Sequence, residues 1–494
     1  MSPVSVQTIR ILDTLTGKKV AFALREEGSK KVRIYCCGPT VWGHTHIGNA
    51  RAALTLDLIT RIFHLAGYKT ETARNYTDVD DKIIAVSERE KISAEEVAKK
   101  YTRAYDDDLK ALGAQAPDHT PRATSHIPQM IKMISGLMKN GLAYEAKSAD
   151  GKDVYFRVES FPNYGSLSKR KIEDMTAGVR IDPNEAKENP ADFALWKAAK
   201  KGEPSWESPW GKGRPGWHIE CSAMIDKIFD SALDIHMGGL DLIFPHHENE
   251  IAQSEGLSGK KLANFWVHNG MIELEHEKMS KSLGNLILTR DFLEDYGTET
   301  FRLLVFQQHY RSPMDISSES ILRAEALVDR LYTCKKLAVA SAEVTNSEAL
   351  PEELKGLKEN IQNALFDDFN SAKALGLILG AARLCFKDNR PEYWKAWREC
   401  LPILENVFGI LCENPAEALQ ARRKQKLKRV NVSEEKSREI EDKLREREHL
   451  RLRRDFQASD RIRAELEGEG ILVMDGPDGA TWTVKSSVKE TTQI

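Results

Sequence analysis

Residues 31–67 read KVRIYCCGPTVWGHTHIGNARAALTLDLITRIFHLAG. The opening KVRIYC (31–36) alternates and carries enough β-branched residues for a strand, closed by the turn signal Gly38-Pro39. Gly48 then opens a helical segment whose Leu54, Leu58, Ile62 and Leu65 recur at helical spacing and which stops at Gly67. YKTETARNYTDV (68–79) comes next as a second strand. Strand, glycine turn, helix and strand form the βαβ pattern of a parallel, nucleotide-binding sheet, so the fold class is α/β.

Working outward, the pattern changes after residue 125. LAYEAKSADGKDVYFRVESF (142–161) has hairpin character and leads into a polar stretch bearing Gly and Pro, which reads as an insertion over 126–210 with the sheet resuming near Trp217. From about 320 to 415 the helical period dominates, predicting a helical bundle. Residues 422–463 carry 16 Lys/Arg and 9 Asp/Glu, a local excess of +7, and GILVMDGPDGATWTV (470–484) reads as a small hairpin around Gly-Pro-Asp-Gly.

The whole chain has 494 residues, which at ~150 residues per domain predicts roughly three domains. With 72 basic and 75 acidic residues the net charge is −3, so global charge selects no partner. Seven cysteines at unpatterned spacings argue against a disulfide scaffold and for a reducing compartment. The start, MSPVSVQTIRILDT, has no signal-peptide pattern. The most apolar run, Ala374–Ala382, is about half the ~20 residues of a membrane span. A cytoplasmic protein without membrane contact is expected.

Three clusters carry chemistry. In CCGPTVWGHTHIGNAR (36–51), a glycine at a strand-to-helix junction lets a polyphosphate approach the backbone, where His46, and His44 beside it, have donors to offer. Lys278-Met279-Ser280-Lys281-Ser282 concentrates two ammonium groups and two hydroxyls, a loop suited to charge growing on a leaving pyrophosphate. The third cluster suits zinc. Trp217 and Cys221 lie four apart on one helix face, and Pro245 can start a helix that sets His246 and Glu250 four apart on another. One thiolate, one imidazole and one carboxylate match that metal, and a cysteine beside His46 can complete the set. Cys36 and Cys37 point to opposite faces of a strand, so only one of them belongs there.

His-Ile-Gly-Asn (46–49) and Lys-Met-Ser-Lys-Ser (278–282) resemble the two signatures of class I aminoacyl-tRNA synthetases. One departure is Asn49, where that class usually has His; Asn still donates a hydrogen bond but carries no charge. CCGPTV, RNYTDVDDKI (74–83), GWHIECSAM (216–224), HMGGLDLIFPHHENEIAQSE (236–255) and KMSKSLGN together resemble the cysteine-specific family of that class, across essentially the whole chain.

The resemblance implies a Rossmann-type parallel-sheet catalytic domain (1–125 and 211–265), an insertion (126–210), a linking domain with the KMSKS loop (266–320), a helical bundle (321–415) and a small mixed α+β C-terminal domain (416–494). It implies a zinc held by Cys37, Cys221, His246 and Glu250, with Cys37 chosen because it precedes Gly-Pro-Thr. Thr77 and Trp217 would line the cysteine pocket. His46, Gly48, Asn49, Gly239, Asp241 and Lys281 would bind ATP, with Lys278 beside them and Mg²⁺ as a further cation. Arg451, Phe456, Asp460 and Asp475 would meet the anticodon, although the family typically has Trp at position 456. The expected activity is ATP-dependent attachment of L-cysteine to tRNA(Cys) by a monomer. A ligase passing cysteine to an amino sugar, or a non-catalytic zinc- and RNA-binding relative, are the alternatives. Roughly 80 residues after 415 argue against the first, and an intact KMSKS argues against the second.

Overall fold

Four parallel strands form the central sheet, in the order 263–269, 233–239, 31–36, 69–74. The computed structural model describes residues 8–26, 28–171, 187–274, 277–278, 286–341, 350–476 and 479–484. The chain leaves Lys31–Cys36 through the helix Ile47–Leu65, which returns it to Lys69–Arg74 on one side. The other neighbour, Leu233–Gly239, is reached much later, after the helix Trp217–Phe229. The strand order therefore reverses beside Lys31–Cys36, and a crevice opens past the carboxyl ends of the two central strands.

Pleating separates the two cores. Val32, Ile34 and Cys36 join the core under the helix Ile47–Leu65. Tyr35 faces the opposite core with Ile219, Cys221 and Trp266, and Cys37 packs against that side. The two adjacent cysteines thus do point to opposite faces, because strand side chains alternate.

The insertion is an antiparallel sheet of Ala143–Ser148, Gly151–Phe156, Phe193–Ala198 and Gly213–Pro215, with the helix Ile127–Lys139 running into it. Its last strand pairs Trp196 with Pro215, so the sheet extends past residue 210. Trp217 begins a helix rather than a strand, and the parallel sheet resumes at Leu233. Gly216 allows that tight exit: a Cβ there would sit 2.0 Å from the carbonyl oxygen of Ala194.

Helices Ser318–Ala340, Leu357–Phe366, Ser371–Asp388, Pro391–Arg398 and Leu401–Asn406 make the bundle. Helix Pro415–Val430 straddles the expected boundary at 415/416 and is fastened back onto the bundle by Arg422 and Arg429. Beyond it, helices Glu434–Leu452 and Phe456–Gly468 close a small separate core with the hairpin Ile471–Gly476/Gly479–Val484. No helix among the described residues is long and apolar enough to cross a membrane.

Candidate active site and metal centre

Four ligating atoms converge at the crevice: Cys37 and Cys221 Sγ, His246 nitrogen and a Glu250 oxygen, all within 4.8 Å of one another and all buried. Each comes from a different local cause. Cys37 lies just past the end of its strand, where its backbone N–H donates to Met237 O at 3.0 Å and ties the two central strands together. Cys221 sits one turn into the helix Trp217–Phe229. His246 precedes the regular helix Glu248–Ser258, in an irregular turn with an extended Phe244 and a cis Phe244–Pro245 bond. Phe244 is the one residue of that turn outside helical φ/ψ, so from Pro245 the backbone turns helically into Glu248–Ser258, as a proline at a helix start allows. The four-residue spacing still works: His246 Nε2 lies 3.0 Å from Glu250 Oε1.

Two edges of this cluster match those of a tetrahedral metal site. Two thiolates on one zinc lie about 3.8 Å apart and a thiolate and a carboxylate oxygen about 3.5 Å apart. The corresponding separations are 3.7 Å for Cys37 Sγ–Cys221 Sγ and 3.3 Å for Cys37 Sγ–Glu250 Oε1. Electrostatics organise the cluster as well. Hydrogen bonding from Cys37 is the chief cause that brings the Cys221 thiol down to about 6, while burial and Cys221 push the Cys37 thiol well up. Burial alone would lower His246, but Glu250 and Cys221 raise it to about 10. Burial likewise works against the Glu250 carboxylate, and His236 and His246 outweigh it, holding the group well below the usual range. The shifts thus favour charge on Cys221 and Glu250 and a proton on Cys37 and His246.

A shell of histidines surrounds these four, and the motifs read from the sequence miss most of it. His236 Nε2 meets the second oxygen of Glu250 at 2.9 Å, with its ring stacked on Trp266 at 4.6 Å. His247 Nε2 is 3.4 Å from Cys37 Sγ, and its Nδ1 is 2.8 Å from His268, which in turn meets Thr14. Cys37, His236, His247 and Glu250 consequently make a second, nested set with metal-like spacing. The signals available in the sequence are the adjacent His246-His247 and the strand alternation of DIHMGG, which aims His236 at the site. Gly238 makes room: a Cβ there would meet His247 Cε1 at 2.6 Å.

Of the expected pocket residues, Trp217 is 41% exposed and stacks on His246 at 4.5 Å, forming a partly open wall. Thr77 is buried and donates its hydroxyl to Glu220 Oε2 at 2.8 Å. Glu220, a buried carboxyl that burial and Cys221 push well up, lies within GWHIECSAM (216–224), yet the resemblance assigns it no role.

The residues expected on the nucleotide side follow the strands Lys31–Cys36 and Leu233–Gly239. His46, not Gly48, begins the helix as its N-cap, and its Nδ1 accepts from Gly48 N at 3.2 Å. With Nδ1 accepting, Nε2 is the nitrogen of the ring that carries the proton. Asn49 lies in the first helical turn, its N–H donating to His46 O. The His44 ring packs edge-on against Tyr101 at 5.3 Å, and burial, reinforced by Arg290, lowers its readiness to charge. Gly239 ends the strand Leu233–Gly239, and Asp241 beside it is exposed.

Lys278 ends a two-residue strand paired with Glu273–Leu274, and Lys281 lies outside the described residues. The segment on the far side of that loop is anchored on the first motif: Leu288 pairs antiparallel with His46, Ile47 N donates to Ile287 O at 3.0 Å, and Thr289 N donates to Thr45 O at 2.9 Å. Residues 287–289, which follow the second signature in sequence, are therefore held against the first, about 240 residues earlier, through backbone hydrogen bonds.

At the far end, Phe456 and Leu452 are 57% and 77% exposed beside Arg451, and Asp460 is also exposed. Asp475 is gripped by Arg447 at 2.6 and 2.9 Å and by Arg451 at 3.2 Å, which holds its carboxyl below the usual range. Many bases of the 422–463 excess are internally paired, including Arg422 with Asp329 and Arg429 with Glu325.

Comparison with known proteins agrees across the chain. Residues 23–326 match the model of the tRNA synthetases class I (C) catalytic domain. The chain is similar to the cysteine–tRNA ligase of Thermodesulfovibrio yellowstonii, 42% identical over 97% of this chain and 100% of that protein. It is similar also to the cysteine–tRNA ligase of Geobacter metallireducens, 43% identical with the same coverage. Among solved structures, Mycobacterium tuberculosis methionyl-tRNA synthetase in complex with methionyl-adenylate shares the fold at TM-score 0.60 and 14% identity, over 79% of this chain and 93% of that one.

Proposed function

The chain belongs to the class I tRNA synthetases, and within them to the cysteine–tRNA ligases, and from that premise we propose how its own residues attach L-cysteine to tRNA(Cys) at the expense of ATP. The observation that carries the reading is the convergence of Cys37, Cys221, His246 and Glu250 at the strand reversal, in a chain whose first helix starts at His46.

These four residues would hold a zinc ion. When bound, the ion supplies a soft partner for a thiolate, which a serine hydroxyl does not match. An apolar pocket by itself rejects a hydroxyl isostere only about 10²-fold, so the ligand set accounts for choice of cysteine. Trp217, stacked on His246, closes one wall over the side chain, and Thr77 with Glu220 forms the floor. Magnesium would accompany ATP.

The reaction proceeds in two steps. Cysteine's carboxylate attacks the α-phosphorus of ATP in line, forming the P–O bond of cysteinyl-adenylate as the bond to pyrophosphate breaks. His46 Nε2–H, Asn49 and the amides at the helix start donate to phosphate oxygens, while Lys278 and Lys281 offset charge on the departing pyrophosphate. Asp241, exposed just past Gly239 at the end of the strand Leu233–Gly239, would take the ribose hydroxyls. A hydroxyl of the tRNA's terminal adenosine then attacks the cysteinyl carbonyl and AMP leaves. No side chain need act as a covalent nucleophile, so catalysis is positioning plus electrostatics. Arg451, Phe456, Asp460 and Asp475 offer guanidinium, stacking and carboxylate contacts for unstacked anticodon bases.

Cysteine-dependent ATP–pyrophosphate exchange, with and without tRNA, and the zinc content of the purified chain test this. Exchange, tRNA charging and about one zinc per chain are expected. Exchange followed by transfer to an amino sugar, with tRNA left uncharged, would overturn the acceptor.

A further inference from the structure

The helix Thr289–Tyr296 is short, and its two ends are held by distant parts of the chain. Its entry is laid against the first signature motif: Leu288 pairs with His46, and Thr289 N donates to Thr45 O at 2.9 Å. At its exit Leu293 O accepts from the capping Gly297 N at 3.0 Å, and the carbonyls after it have no partner within the helix. Those carbonyls are taken by side chains from the helix Pro415–Val430, more than a hundred residues later. Gln425 Nε2 donates to Leu293 O at 3.2 Å and to Glu294 O at 2.8 Å. Arg429 Nη1 donates to Asp295 O at 2.8 Å.

Arg429 is itself fixed on three sides. Its guanidinium grips both oxygens of Glu325 at 2.9 Å, lies 4.3 Å over the Tyr296 ring, and is mostly shielded from water. Arg422, two helix turns before it, meets Asp329 at 2.6 Å and the carbonyl of Glu325 at 3.1 Å, which holds the bundle side of the joint. A planar fork satisfying one carboxylate, one carbonyl and one aromatic face at once is a geometry that lysine does not reproduce. The helix Thr289–Tyr296 is thereby a strut, with His46 at one end and Arg429 at the other.

We propose that Arg429, together with Gln425, is a positioning residue for cysteine activation. It contacts neither substrate. It fixes the far end of the strut, and through Leu288 and Thr289 it sets the backbone register at His46 on which the phosphate-binding donors depend. This rests on the chain's activating cysteine with ATP, and it adds that the activation step depends on a residue placed after the bundle, in the part of the sequence otherwise assigned to tRNA.

The test is tRNA-free pyrophosphate exchange by the full-length chain, expressed per active site titrated by adenylate formation, for Arg429→Met, Arg429→Lys and Gln425→Met. A misfolded fraction lowers the number of titrated sites but not the rate per site. A displaced strut lowers the rate per site. Because sub-ångström displacement of phosphate-binding groups is costly, Arg429→Met should lose about tenfold in rate per site, with the KM for cysteine unchanged because the metal cluster lies on other elements. Arg429→Lys should recover part of the loss. Gln425→Met, which leaves the Glu325 pair intact, should show a smaller decrease in the same direction and keeps the test decisive if Arg429→Met fails to fold. Rates per site within about twofold of the parent in both methionine variants would overturn the proposal while leaving the cysteine-activating function standing. A parent chain without cysteine-dependent exchange would overturn both.

Discussion

His236→Leu tests which of the two nested sets holds the metal. His236 is fully buried, donates toward Glu250 Oε2 at 2.9 Å, and has no hydrogen-bond partner on Nδ1 among the described residues. If Cys37, Cys221, His246 and Glu250 are the ligands, His236 only orients Glu250, through the carboxylate oxygen that faces away from His246. Loss of such a supporting hydrogen bond costs about 10- to 100-fold in metal affinity, or about 1.4–2.7 kcal/mol. Leucine fills a similar volume against Trp266, so cavity formation adds little. Cys221→Ser, by contrast, removes a thiolate ligand and should lose considerably more than His236→Leu. The nested set Cys37, His236, His247 and Glu250 predicts the reverse order, with Cys221→Ser nearly silent. Competition with a chromophoric chelator at fixed pH measures both affinities, and thermal unfolding of the metal-free chains checks that the variants fold. A His236→Leu chain that loses more zinc affinity than Cys221→Ser would refute the assignment of ligands.

Zinc affinity should also climb with pH. In the metal-free cluster Cys37 and His246 both hold protons at neutral pH, and metal binding must displace them, so affinity should change about 100-fold per pH unit around pH 6–7; a slope near zero in chelator competition would contradict the protonation pattern. The sign for stability is opposite: the raised His246 stabilises the metal-free fold below about 6.5, and that contribution is lost as pH rises through about 10. Lys281→Ala should slow pyrophosphate exchange about 10²–10³-fold, as loss of one preorganised charge contact does, with little effect on the KM for cysteine; an exchange rate within a few-fold of the parent would remove the leaving-group role. Truncation after Asn431 should keep exchange and raise the KM for tRNA, whereas truncation after 415 also removes the helix Pro415–Val430, with Arg422 and Arg429, and should lower the thermal stability further; equal thermal stability of the two truncations would show that the joint contributes nothing.

Much of this molecule is legible without coordinates. The alternation of KVRIYC, the leucine period after Gly48 and the second strand declare a parallel α/β sheet, since both periods follow from local backbone geometry. Cys221 against Trp217 and His246 against Glu250 are spaced at four residues, so their shared faces are dictated by the helical repeat or a turn that mimics it. Tertiary structure decided what local periodicity does not encode. The opposed faces of Cys36 and Cys37 follow from strand alternation, yet which face meets Cys221 depended on where Trp217–Phe229 docks. His236 and His247 gained their roles only when Leu233–Gly239 slid in beside Lys31–Cys36, a pairing across about 200 residues. The pairing of Leu288 with His46 and the grip of Arg429 on Glu325 are of the same kind. A charge run such as 422–463 gives its sign in the sequence, but whether each base faces nucleic acid or a buried carboxylate of its own chain is set by packing, because desolvated partners far apart in sequence leave no local mark.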